Sequence, residues 1–91
     1  MGVKTISNKR YILIKDNDGF KQEDVESKLT DYYDDFDYIV GDWAYGKLRL
    51  KGFYADDSKK VKDFNNIKYV DNYIINNCAY KCMYFILKRD N

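Results

Sequence analysis

Cys78, Cys82 and the neighbouring Lys81 are the residues best suited by type to nucleophilic or metal chemistry. A thiolate beside a cation can be activated, and a close cysteine pair can ligate zinc. Neither pattern is complete here. The spacing is C-x3-C rather than C-x2-C, the chain has two cysteines in all, and no histidine is present to serve as base or further ligand. In a reducing compartment both thiols read as small buried apolar residues, and a disulfide is not expected. Gly41, Gly46 and Gly52 precede no helix N-terminus, so they cradle no phosphate. Asp42, directly after a glycine, reads as a turn or capping residue. No catalytic residue, metal ligand or cofactor is assigned.

The chemistry left is recognition, and it gathers in residues 37 to 54, DYIVGDWAYGKLRLKGFY. If Lys47 to Tyr54 is a strand, Lys47, Arg49, Lys51 and Phe53 share one face while Leu48, Leu50 and Tyr54 share the other. Just before it, Gly41 and Gly46 enclose Asp42, Trp43, Ala44 and Tyr45 in a hairpin-like connection. The candidate binding residues are therefore Trp43, Tyr45, Lys47, Arg49, Lys51 and Phe53. Their bases can hold anions, and their aromatic rings can stack on bases or anchor a partner protein.

Those residues need a scaffold, and the apolar periodicity supplies one. Residues 1 to 9 show no period and read as a flexible arm, so the single domain spans residues 10 to 91. Tyr11 to Lys15 (YILIK) is apolar on both faces, hence a central strand, and Asn17, Asp18 and Gly19 signal the following turn. From Phe20, the positions Val25, Leu29, Tyr32, Tyr33 and Phe36 trace one helical face. Asp31, Asp34 and Asp35 would then crowd the negative end of the helix dipole, so they are expected beyond the helix end, solvated or paired with lysines. Asp37 to Gly41 is a strand, and Lys60 to Phe64 a short returning one. Ile67, Val70, Ile74 and Cys78 predict a helix over about 66 to 77, capped by Asn65 or Asn66. Cys82 to Leu87 (CMYFIL) reads as a strand in the middle of the sheet.

This order, β-α-β-β-(β)-α-β, predicts an α+β domain with two helices on one face of a mostly antiparallel sheet of four or five strands. A ferredoxin-like topology is the obvious candidate, but it places the last strand at an edge, against the two-sided burial of CMYFIL. Strand order is left open.

A chain of 91 residues with 45% hydrophobic and 34% charged side chains has room for one core and a soluble exterior. No apolar run is long enough to span a membrane, and the opening MGVKTISNKR lacks a secretory h-region, so a cytoplasmic location is expected. The net charge is only +1, yet residues 16 to 42 hold ten acids against two bases while residues 43 to 91 hold ten bases against five acids. Such a dipole gives the basic half a local pull on anionic partners.

The motif GDW-x-YG-x-LRLKGF within residues 41 to 53, the GF of Gly19 and Phe20, and NNCAYKCMYFILK near the end resemble the YutD-like family of small bacterial proteins. The resemblance covers nearly the whole chain after its N-terminal arm. It implies a compact α+β domain of unknown function, with no established activity, cofactor or functional residues to carry over.

Two functions fit the candidate residues. The first is a non-enzymatic protein-interaction module, with Trp43 and the nearby tyrosines as anchors; self-association of the acidic region on the basic strand is a variant of it. The second is RNA or single-stranded nucleic-acid binding along Lys47 to Phe53. Lys51, Gly52 and Phe53 match the start of an RNA-recognition sheet motif, but Tyr54, Ala55 and Asp56 break it. Enzymatic activity has the least support.

Overall fold

Alternating burial in the short apolar runs builds the sheet. In a computed structural model, which describes residues 2–77 and 82–90, five strands form: β1 (Gly2–Ile6), β2 (Lys9–Asn17), β3 (Tyr38–Ala44), β4 (Lys47–Phe53) and β5 (Tyr84–Arg89). Their spatial order is β1-β2-β5-β3-β4, with every neighbouring pair antiparallel. The α+β class and antiparallel sheet are as the sequence predicts. The central place of the CMYFIL strand is also as read, so the topology is not ferredoxin-like: β5 threads between β2 and β3 instead of lying at an edge. A register shift between Leu13 and Lys15 marks a bulge in β2.

Residues 2 to 9 are not a free arm. Gly2–Ile6 pairs along its length with Lys9–Leu13, and the Ile6 side chain is wholly buried. Ser7 and Asn8 make the connecting turn with φ of 52° and 68°, the left-handed pair that a two-residue hairpin requires. The missing periodicity arises because only one residue of this edge strand, Ile6, reaches the core.

Successive residues of each strand face opposite layers, and both faces are covered. On one face Ile39, Leu48, Phe85 and Leu87 pack with Tyr11, Leu13, Val25 and Leu29; on the other Val40, Phe53 and Ile86 pack with Ile67, Val70, Tyr73 and Ile74. Helix α1 (Gln22–Lys28) thus lies on the first face and α2 (Val70–Asn77) on the second. The expectation of two helices on one face is corrected. The apolar residues at both odd and even positions of β3 and β5 demand a cover on each side. Burial of each of Ile39, Phe85 and Leu87, none of which is exposed, contributes about 1.5 to 3 kcal/mol.

Helix α1 ends sooner than its apolar period suggests. Thr30 is extended, and Asp31–Asp35 forms a separate 3-10 turn. That break moves the aspartates off the end of the α-helix, and lysines meet them: Lys9 bridges Asp31 and Asp34, and Lys60 bridges Asp35. Lys60 to Phe64 is not a strand. The edge of the sheet beyond β4 is instead closed by Asn66, bridged to Tyr54, after a 3-10 turn at Asp63–Asn65. Asn66 then caps the next turn, its side chain accepting from the Lys68 N–H at 3.0 Å. Among the described residues no helix is long and apolar enough to cross a membrane, and no group of three potential ligand side chains could hold a metal ion.

Candidate functional site

The β3–β4 hairpin is tighter than the sequence suggests. Strand β3 runs through Asp42, Trp43 and Ala44, leaving Tyr45 and Gly46 as the whole loop, with Ala44 opposite Lys47. Both loop residues are left-handed, with φ of 55° and 74°. Glycine adopts that conformation readily, but an aromatic residue does so at a cost of about 1 kcal/mol or more. The Tyr45 side chain is completely exposed. Trp43 stands one turn inward, half-buried against the first core, and its Nε1–H donates to the Gly19 carbonyl at 2.7 Å. The GF and GDW segments, far apart in sequence, are thereby in contact.

The two-residue loop also fixes the cross-strand partners. Asp42 lies opposite Arg49, and the guanidinium grips the carboxylate with both prongs, at 3.0 and 2.7 Å. Asp42 is buried, while about half of the Arg49 side chain meets water. Nη2 of Arg49 also donates to the Asn77 carbonyl at 2.9 Å, tying the strand to the end of α2. The Asp42 carboxylate raises the Arg49 pKa above its ordinary value, so the charge is fixed.

Lys51 is placed differently again. Its Nζ lies 5.4 Å from the ring centre of Phe53, 5.6 Å from that of Phe64 and 5.7 Å from that of Tyr73. Three rings thus hold one ammonium group through its attraction to their faces. Phe53 itself is 1% exposed and belongs to the second core. Lys47 is exposed.

The six candidate residues therefore divide. Tyr45 and Lys47 are open at the hairpin tip and Trp43 supports them. Arg49 is engaged by Asp42, Lys51 by aromatic rings, and Phe53 is core. A row of open bases with a stacking Phe53 does not exist. Cys82 is half-exposed rather than buried and is not a free thiol, contrary to expectation; Cys78 and Lys81 lie outside the described residues.

Sequence reasoning missed a second feature. A cleft of about 400 Å³ lies beside the outer edge of β4, lined by Tyr32, Tyr33, Phe36, Tyr54 and Phe64 together with Leu50, Lys51 and Gly52. Tyr32 is 71% exposed and Phe64 68%, so two of its walls face water. The Tyr54 hydroxyl donates to Asp35 Oδ2 at 3.1 Å, and burial raises its pKa. The surplus of aromatic residues between positions 32 and 64 was the available signal, but a helical period through Tyr32, Tyr33 and Phe36 assigned those rings to a core.

Comparison with known proteins agrees with this fold. The family described as "Putative antitoxin YutD-like" matches residues 5–88. The chain is 42% identical over 85 residues to "Putative antitoxin YutD" of Bacillus subtilis (strain 168), covering 92% of this chain and 93% of that protein. It is also similar to the solution NMR structure of protein yutD from B. subtilis, with a TM-score of 0.79 and 39% identity over 100% of this chain and 86% of the other. With the match running from β1 to β5, and with the glycine and tryptophan contacts of its motif accounted for, the chain belongs to the YutD-like family.

Proposed function

We propose that this chain is a non-enzymatic protein-interaction module that docks through the tip of the β3–β4 hairpin, with Tyr45 and Lys47 as contacts and Trp43 as their support. The observation that carries the reading is Tyr45: an aromatic ring, wholly exposed, on a left-handed backbone that asparagine or glycine would adopt at lower cost. Strain retained at an exposed aromatic is consistent with selection for contact rather than for folding. The name of the B. subtilis relative, a "Putative antitoxin", supports action by holding another macromolecule rather than by turnover. Nucleic-acid binding along Lys47 to Phe53 loses support, because Phe53 is core and Arg49 is held by Asp42.

The test is quantitative affinity capture from native lysate with the parent and with Tyr45→Asn combined with Lys47→Glu. Asparagine keeps the left-handed turn, so the fold is retained. Partners enriched by the parent should be lost from the double variant; an identical captured set refutes the hairpin as docking surface. Single-stranded RNA titrated at two salt concentrations should show no saturable binding, and salt-sensitive binding would favour the nucleic-acid reading instead.

A further inference from the structure

The edge of β4 is exploited by the chain itself at one position. In a hairpin closed by a two-residue loop, Ala44 and Lys47 form a hydrogen-bonded pair, and the pattern repeats at Asp42–Arg49 and Val40–Lys51. The main-chain groups of Leu48, Leu50, Gly52 and Tyr54 therefore point away from β3. At Tyr54 they are used: its N–H donates to the Asn65 carbonyl at 2.7 Å, and its carbonyl accepts from the Ile67 N–H at 2.9 Å. Leu48 and Gly52 are buried, whereas Leu50 is half-buried and lines the cleft. The aromatic cleft thus opens where one outward-facing residue of the edge remains accessible.

Charge narrows what fits there. The nearby aspartates of the 3-10 turn are occupied by Lys9 and Lys60, whereas no carboxylate of the described residues forms an ion pair with Lys51. Among the described residues, its ammonium is met by rings on the cleft side and in the second core. A second copy of the chain is a poor occupant. Antiparallel pairing of two β4 edges would set the Lys47, Arg49 and Lys51 faces against each other, and like charges directly opposite destabilise a sheet.

We propose that this cleft receives an extended segment of a partner protein that inserts one aromatic side chain among Tyr32, Phe36 and Phe64, sets a carboxylate on Lys51, and hydrogen-bonds the main chain of Leu50. The cleft is a second contact surface of the interaction module proposed above, and the assignment rests on that reading. The mode is strand addition limited to one bridge, as at Tyr54, with a ring-lined pocket supplying selectivity.

The probe is a fluorescein-labelled heptapeptide, capped at both ends, with a central phenylalanine flanked by glutamates. Anisotropy titration should give saturable binding, weakened about tenfold or more by Lys51→Gln and again by Phe64→Ser, and unchanged by Val3→Ser, an exposed position on the opposite edge of the sheet. Both cleft variants alter partly or largely exposed side chains, and unchanged amide resonances in β5 would confirm that they fold. On binding, the Leu50 amide should become protected from solvent exchange. Equal binding of a peptide with lysines in place of the glutamates overturns the proposal, as does insensitivity to both cleft variants. So does an absence of saturation at millimolar peptide. If the peptide fails while Tyr45-dependent capture persists, the cleft assignment falls and the interaction module stands.

Discussion

Replacing Gly41 by alanine should damage this fold more than the same change at Gly52. At Gly41 a new Cβ would lie 2.2 Å from the tip of the Phe85 ring, and at Gly52 it would lie 2.2 Å from the Phe36 ring. The clashes are equal in distance, but the burial of the rings is not. Phe85 is wholly buried and is met edge-on by Phe20 at 5.3 Å, whereas Phe36 is half-buried and rests on the rings of Tyr32, Tyr33 and Tyr54, of which Tyr32 is largely exposed, so that group has water on one side to yield toward. Overpacking a filled core costs about 1 to 3 kcal/mol, and the lower unfolded-state entropy of alanine offsets about 0.4 to 1 of that. Gly41→Ala should therefore lose about 2 kcal/mol and Gly52→Ala about 1 kcal/mol or less. For a domain of this size those losses correspond to falls in Tm of about 10 to 15 °C and about 5 °C. Thermal and urea denaturation followed by Trp43 fluorescence measures both. Adding Phe85→Leu to Gly41→Ala should cost less than the sum of the single changes, because each relieves the other. Equal losses at the two glycines, or strict additivity with Phe85→Leu, would refute the argument that immobile rings exclude the side chain.

Three further outcomes are expected. Ile6→Ala should cost about 2 to 4 kcal/mol by urea denaturation, since it empties a buried site that a flexible arm would not have; a shift within error refutes the role of β1. Arg49→Met should cost about 2 kcal/mol, an amount reduced from that of a fully buried ion pair because half of the Arg49 side chain faces water; a loss below about 0.5 kcal/mol in chemical denaturation would show the fork to be incidental. Lys60, then Tyr54, holds the Asp35 carboxyl below its usual pKa. The folded value lies under the unfolded one, so this stabilisation is complete above about pH 4 and disappears as pH falls through the folded value. Lys60→Gln should flatten the decline of Tm across that acidic window, and an unchanged acid limb would contradict the assignment.

What could be read from sequence was what alternates. The strand periods of YILIK and CMYFIL gave the buried strands, and the two-sided apolarity of CMYFIL placed it centrally, because burial on both faces leaves a direct mark on composition. Asn66 was legible as a cap because the cap depends on residues two apart. Strand β1 was not legible: it contributes one side chain to the core and is held by main-chain pairing, which any sequence can make. The layers were misread for a related reason. Periodicity shows that a helix has an apolar face but not which side of the sheet it covers. At the candidate site, Tyr45 and Lys47 were open to view in the sequence, but the engagement of Arg49 was hidden in the register. Shortening the connection from residues 42–46 to Tyr45 and Gly46 alone brings Asp42 opposite Arg49 and converts a displayed base into an internal tie.

The threading of the final strand into the middle of the sheet has a consequence for biosynthesis. While the chain is being made, β1 with β2 and β3 with β4 can close as separate hairpins, but no strand pairing joins the two halves of the sheet until residues 84 to 89 emerge. Until then β2 and β3 each present an unpaired inner edge flanked by apolar faces, the kind of surface that pairs promiscuously with other chains. Removing the pairing of residues 84 to 89 would thus leave two hairpins and no continuous sheet, so the integrity of the whole sheet rests on the last of its strands to be made.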